Sequence, residues 1–244
     1  MVGVDDASME VCDSLMGEGI STSYLHVDLH WRTSRKIRIL SHGHMVTRVD
    51  NEVGWQEVGA TTLIDMVGDA MVREAPDVLY FADYDGGVLN HEVVSTLSTI
   101  CRERDILTVA DPKVSNFQHY NNVDILKPNL MNGAAGVGMP MGNHIRVATS
   151  IVEEVGCRSV LLTLGERGMY YYDGVGHMIP PHYVDVSELS GAGDTAGAAL
   201  SLGLSSGMSG YEASLLANAA ASVVVQKVGT AVCTYNELVG VLDV

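Results

Sequence analysis

Apolar and polar positions change rhythm twice along this chain. Near the start, Met9, Cys12 and Met16 recur at helical spacing behind Asp5 and Asp6, and Gly17 and Gly19 close the element. Acidic residues at that point favour a helix start, so a strand end, a turn and a helix are expected here. Between residues 23 and 50 the rhythm becomes alternation, over 23–27, 36–40 and 45–49. A His-Gly-His turn at 42–44 joins the last two runs, which predicts a β-hairpin with one polar face.

From residue 60 onward, helical stretches alternate with short, continuously apolar runs. Helices are predicted over 61–74, 90–104 and 144–156, and strands over 78–82, 106–110, 123–126 and 159–163. Such runs belong to a parallel sheet buried on both faces, an α/β architecture. A second hairpin is predicted around Asp173-Gly174, between 169–172 and 177–179. An Ala-rich helix over 211–225 and a short helix over 235–241 end the chain, and the Gly-rich stretch 133–142 reads as a surface loop. Ligands of such sheets lie outside the carboxyl ends of the strands. Asp83, Asp111, Lys113, Asn129, Thr163 and Gly165 all follow strand ends, so one edge of the sheet collects the chemistry.

The most pointed local signal is Ser190-Gly191-Ala192-Gly193-Asp194-Thr195, which opens a run of small residues with Leu200 and Leu204 on one face. A Gly-rich turn at a helix start presents unpaired amides and the positive end of the helix dipole, which suits an anion. An aspartate inside that turn would take a proton from a hydroxyl attacking the anion, which makes a phosphoryl-transfer centre. The plainer reading is a helix capped by Asp194 and built of small residues for close packing.

The charge of −16 opposes a nucleic-acid or anionic-membrane partner, which needs a basic face, but leaves room for a nucleotide held in a local nest of amides. Cys12, Cys101, Cys157 and Cys233 form no C-x-x-C pair, so neither a zinc ribbon nor a redox motif is expected. No apolar run reaches membrane-spanning length, and a cytoplasmic location is expected. On the polar face of the first hairpin, Lys36, Arg38 and Arg48 fall in phase and Asp50 follows. They would hold a phosphorylated or polyhydroxy ligand, or simply face solvent. His42 and His44 form an H-x-H, a metal pair or a pair of turn histidines.

Known phosphate sites can be tested in turn. The chain has no G-x-x-x-x-G-K-[ST], no kinase H-R-D or D-F-G, and Met141 stands where a dinucleotide fingerprint from Gly136 and Gly138 needs glycine. A P-loop enzyme and a dehydrogenase are thereby set aside. Gly191-Ala192-Gly193-Asp194-Thr195 instead resembles the second signature of the ribokinase-like (PfkB-type) carbohydrate kinases. Asp83-Tyr84 with Gly87-Val88-Leu89, Asp111-Pro112-Lys113, Pro128-Asn129, the stretch 163–168 and the stretch 224–230 support it. With Lys36-x-Arg38 and 48–52, the set is most similar to the heptose-7-phosphate kinase branch.

The resemblance implies a three-layer fold: a mainly parallel sheet flanked by helices, with a small β lid around 23–50, in one kinase domain over 1–244. It implies ATP and Mg²⁺ as cofactors, a sugar or sugar phosphate as substrate, and a homodimer through the lid. Asp194 would be the base, and the amides of Gly191, Ala192 and Gly193 the anion hole. Thr163, Gly165 and Gly168 would line the nucleotide, Asn218 and Gly229 would lie near its base, and Lys113 would touch phosphate. Asn129 would approach the metal through water, and Lys36, Arg38, Arg48, Asp50 and Asp83 form the substrate set. Three positions depart from the pattern: Asn132 for a glutamate, Gly86 for a lysine, and Glu188 for an aspartate. The family's opening strands, with their sugar-binding aspartate, are also expected to be missing. The alternative is a nucleotide-binding subunit with impaired turnover that needs a partner chain for those strands.

Overall fold

Asp5 opens the first helix as the acidic pair predicts. Its backbone is extended, its carboxylate accepts from the Ser8 amide at 2.9 Å, and Ser8 reaches back to complete a capping box for α1 (Asp6–Gly17). A computed structural model of the chain describes residues 1–41, 44–51 and 59–242. They fall into two units, Met1–Glu74 and Ala75–Val244, each taken by itself below.

In the first unit, β1 (Arg35–Ser41) and β2 (His44–Asn51) pair antiparallel, with Lys36 opposite Asp50 and Arg38 opposite Arg48. Side chains two apart share a face, so this register gathers all four on one side, as the alternation predicts. Arg48 Nε lies 2.8 Å from Asp50 Oδ1. The opposite face carries Ile37 and Val49, both about half exposed. The strand expected at 23–27 does not form. The Leu25 amide turns back onto the Thr22 carbonyl at 3.0 Å, and only Val27 makes a strand-like bridge, to Val2. The helix expected at 61–74 is α2 (Ala60–Glu74), and Tyr24 donates its hydroxyl to Glu74 at 2.7 Å. His42 lies outside the described residues, and with it the H-x-H pair.

The second unit is a six-stranded sheet whose spatial order follows the chain. β3 (Val78–Ala82), β4 (Leu107–Asp111), β5 (Ile125–Leu126) and β6 (Ser159–Thr163) run parallel, and β7 (Met169–Tyr172) and β8 (Gly176–Ile179) add an antiparallel hairpin at one side. Val109, Ile125, Leu161 and Tyr171 point to one face, where they pack on α6 (Ala192–Ser205) and α7 (Gly210–Val224). The intervening Ala110, Leu126 and Leu162 belong by the pleat to the opposite face and are equally buried. There the sheet meets α3 (His91–Glu103), α4 (Leu130–Gly136) and α5 (His144–Val155). The result is three layers, with α8 (Tyr235–Leu242) against α7.

The small residues of α6 have a packing reason. A Cβ on Gly203 would sit 2.9 Å from that of Ala213, so α6 and α7 approach almost backbone to backbone. The surface loop expected at 133–142 is half wrong: 130–136 is helix α4, and Gly133 is buried. A Cβ there would lie 3.1 Å from both Ile151 and Leu162, so this glycine marks a tight contact rather than a turn. Among the described residues no helix is long and apolar enough to cross a membrane.

Candidate active site

The turn before α6 has the geometry that its glycines allow. Gly191 is the N-cap with φ +84°, in the left-handed region, and its carbonyl accepts from the Thr195 amide at 2.8 Å. No side chain caps this helix, so the plainer reading of Asp194 as a cap is overturned. The Ala192 amide is drawn to the Leu189 carbonyl at 3.3 Å. The amides of Gly191 and Gly193 have no acceptor among the described residues, so the expected three-amide hole presents two. Asp194 stands exposed in the same first turn, and its Oδ1 accepts from the Tyr84 hydroxyl at 2.5 Å.

Beneath this turn lies an ion pair that the motif reading did not include. Lys127 Nζ is 2.7 Å from Asp111 Oδ2, and the lysine side chain is 2% exposed. Both residues end or follow central strands, and the register that sets Ala110 beside Leu126 brings them together. A Cβ on Gly193 would be 3.9 Å from each of the paired atoms, so the ammonium and the carboxylate both lie close to this glycine of the turn. The Tyr80 hydroxyl is buried nearby and has no hydrogen-bond partner among the described residues. Burial first, then the Asp111 and Asp194 carboxylates, push this phenol well above its ordinary range.

A cleft of about 870 Å³ opens beside the turn. Thr163, Gly165 and Gly168 form part of its wall, with Ala192, Gly193 and Asn218, and Val184, Val186 and Leu189 add apolar side chains. Gly168 is obligatory in its place: with φ +83°, a Cβ would fall 2.2 Å from the Ile179 carbonyl. The lining carries Glu166 and Asp185 and neither lysine nor arginine. An anionic ligand there depends on the α6 amides and on any cation it brings. An ATP molecule fits those terms: a flat, part-apolar cleft for the base ends at an uncapped helix N-terminus for the phosphates. Among the described residues no group of three or more His, Cys, Asp or Glu is placed to hold a metal.

The other expected residues divide. Asn129 is exposed after β5, but its Oδ1 accepts from the Asn132 amide at 2.7 Å, capping α4. Asn218 Nδ2 donates to the Pro180 carbonyl at 2.9 Å, which ties α7 to the chain after β8. The Gly229 amide donates to Glu188 at 2.9 Å, and Glu188 also accepts from the Ser190 hydroxyl, so the 228–230 loop is fastened to the Gly-rich turn. Lys113 begins the 3-10 turn Val114–Tyr120, away from the cleft's lining. Asp83, expected to meet substrate, is 5% exposed and accepts from the Asp85 and Lys113 amides, Asn116 and Tyr120. Three of these bonds go to Oδ2 and one to Oδ1, so the fold itself holds this carboxylate. Lys36, Arg38, Arg48 and Asp50 share their hairpin face in the first unit. Lys127 and Tyr84 were the residues missed. The signals for them were a rare lysine closing a buried strand and the tyrosine of the Asp83-Tyr84 motif.

An α/β sheet of this order, with a Gly-rich turn and an aspartate opening α6 beside a nucleotide-sized cleft, is the ribokinase kind of sugar-kinase fold. Escherichia coli phosphofructokinase-2, solved with potassium, superimposes with a TM-score of 0.80 at 18% identity, over 99% of this chain and 79% of that one. Arabidopsis thaliana ribokinase, solved with ribose and ATP, gives 0.79 at 18%, over 100% and 80%. The pfkB family carbohydrate kinase model matches residues 1–237, and the chain belongs to that family. It is also 31% identical to the bifunctional protein HldE of Helicobacter hepaticus, over 98% of this chain and 50% of that protein. With HldE of Azorhizobium caulinodans the identity is 34%, over 100% and 52%. The chain thus spans about half the length of the curated relatives it matches.

Proposed function

We propose that this chain transfers the γ-phosphoryl group of ATP to a hydroxyl of a sugar phosphate of the heptose 7-phosphate type, with Asp194 as general base. One observation carries the reading: an uncapped helix start with two open amides opens beside the cleft, and an exposed carboxylate stands in the same turn. The Gly191 and Gly193 amides would hold the oxygens of the transferring group, and the positive end of the α6 dipole would favour their charge. Asp194 would take the acceptor proton, holding it on the face of the turn where the nucleophile approaches. When bound, ATP supplies the phosphoryl group and Mg²⁺ neutralises its charge.

The heptose type rests on the resemblance of Lys36-x-Arg38 and 48–52; Lys36, Arg38 and Arg48 stay proposed contacts for the acceptor's phosphate, and Asp50 for its hydroxyls. Treating 1–244 as one kinase domain, with the hairpin as lid and dimer contact, rests on the same ground. A nucleotide-binding subunit without turnover is the second reading. It is favoured by Asn132 in place of a carboxylate and by Asn129 spending its oxygen on a helix cap.

The test is ADP release with ATP, Mg²⁺ and each of heptose 7-phosphate, fructose 6-phosphate and ribose, for wild type beside Asp194→Asn. A sugar-stimulated rate that falls at least about 100-fold in the variant, with ATP affinity kept, supports the kinase. ATP binding with no Asp194-dependent stimulation by any sugar replaces it with the second reading.

A further inference from the structure

The geometry points to Tyr84 as a positioning residue for Asp194: its hydroxyl fixes one carboxylate oxygen and leaves the other aimed at the acceptor. This rests on the reading of Asp194 as the base. The contact is short, 2.5 Å from the phenol oxygen to Asp194 Oδ1, and joins residues 110 positions apart. A carboxylate that serves as base needs one oxygen free in a fixed direction, and a single donor on the other oxygen supplies that. Tyr84 is suited to being a permanent donor. Burial first, then the hydrogen bond and charge of Asp194, hold its phenol well above the ordinary range, so it keeps its proton where kinases work.

What makes the contact a built one is the anchoring on both sides of Tyr84. Tyr84 itself is 58% exposed, and an exposed tyrosine left to itself would sample several rotamers. Its preceding neighbour, Asp83, is buried and accepts from four donors of the loop and the 3-10 turn. Its following neighbour, Asp85, accepts from the Ser115 hydroxyl at 2.6 Å and takes φ +59°, a left-handed conformation that side chains other than Gly rarely adopt. The loop is thus fastened immediately before and after the phenol and bent between the two anchors. That also explains why Asp83, on the sheet edge where substrate chemistry was expected, is held by the fold itself.

The test is a double-mutant cycle of Tyr84→Phe and Asp194→Asn, assayed with Mg²⁺-ATP and the acceptor that wild type turns over fastest. Tyr84→Phe is expected to lower kcat about tenfold, the usual worth of a hydrogen bond to a charged group, while KM for ATP and acceptor stays within about twofold. In the Asp194→Asn background the same substitution should change the residual rate little. Equal losses in both backgrounds, or a rise in KM at constant kcat, would overturn the proposal, as would a faster Tyr84→Phe enzyme, which would make the phenol a plug. A full rate for Asp194→Asn would instead remove the base reading itself. Thermal unfolding of the same four proteins tests the contact whatever the acceptor. The double variant's Tm shift should differ from the sum of the single shifts, and simple additivity would show that the bond is absent in solution.

Discussion

Lys127 and Asp111 form a 2.7 Å ion pair under the open N-terminus of α6, with the ammonium almost wholly buried and the carboxylate 28% exposed. A buried lysine is costly unless paired, and here its charge, balanced by Asp111, lies 3.9 Å from where a Gly193 Cβ would sit.

Lys127→Met is therefore expected to remove that charge and leave Asp111 facing an apolar chain. Stability should fall by about 3 kcal/mol in denaturant unfolding, the cost of orphaning one member of a buried pair. The added change Asp111→Asn should restore part of the stability and none of the turnover. Recovery of both would make the pair purely structural.

Gly193→Ala separates packing from chemistry. The new methyl would meet nothing closer than 3.9 Å, and the backbone there is ordinary helix, so the fold gains up to about 1 kcal/mol from the better helix former. That methyl would point toward the ion pair from the turn proposed to hold the phosphoryl group. A Tm unchanged or raised, together with a loss of sugar-stimulated ADP release, is the expected result. A fully active variant would move the phosphate site elsewhere.

Glu237 links stability to pH. The Lys227 ammonium first, then the Thr234 hydroxyl and amide, pull its carboxyl from 4.5 to about 2. A folded-state pKa below the unfolded one adds stability that is complete above the unfolded value and is lost as pH falls through the folded value. Comparing Tm for wild type and Glu237→Gln should show a gap that is constant above about pH 5.5 and closes steadily toward about pH 2. Both partners are part-exposed, so added salt should narrow the gap as well.

The strands β3 and β6 lie residue for residue where their apolar runs predict, because Asp83 at one end and Gly165 at the other break the run in sequence as well as in space. Lys127 was legible only as a rare lysine closing a strand. Its meaning came from Asp111, sixteen residues earlier on a neighbouring strand, which only the sheet register makes adjacent. The misreading of 130–136 has the opposite cause. Glycines that look like turn residues locally are packing residues here, and the side chains they admit, Ile151 and Leu162, come from elsewhere in the chain. Asn129 and Asn218 show a third limit. The motifs place Asn129 after a strand end and Asn218 in the cleft's wall, but a motif does not reveal that a side-chain amide is already bonded to the fold.

That last point has a dynamic side. The oxygen of Asn129 holds the start of α4, a helix of seven residues that is too short to persist on its own propensity. A ligand that pulls this oxygen off the Asn132 amide would loosen the helix at the same moment. Amide exchange in the first turn of α4 is then a gauge of occupancy at the neighbouring site, readable in a protein that turns nothing over.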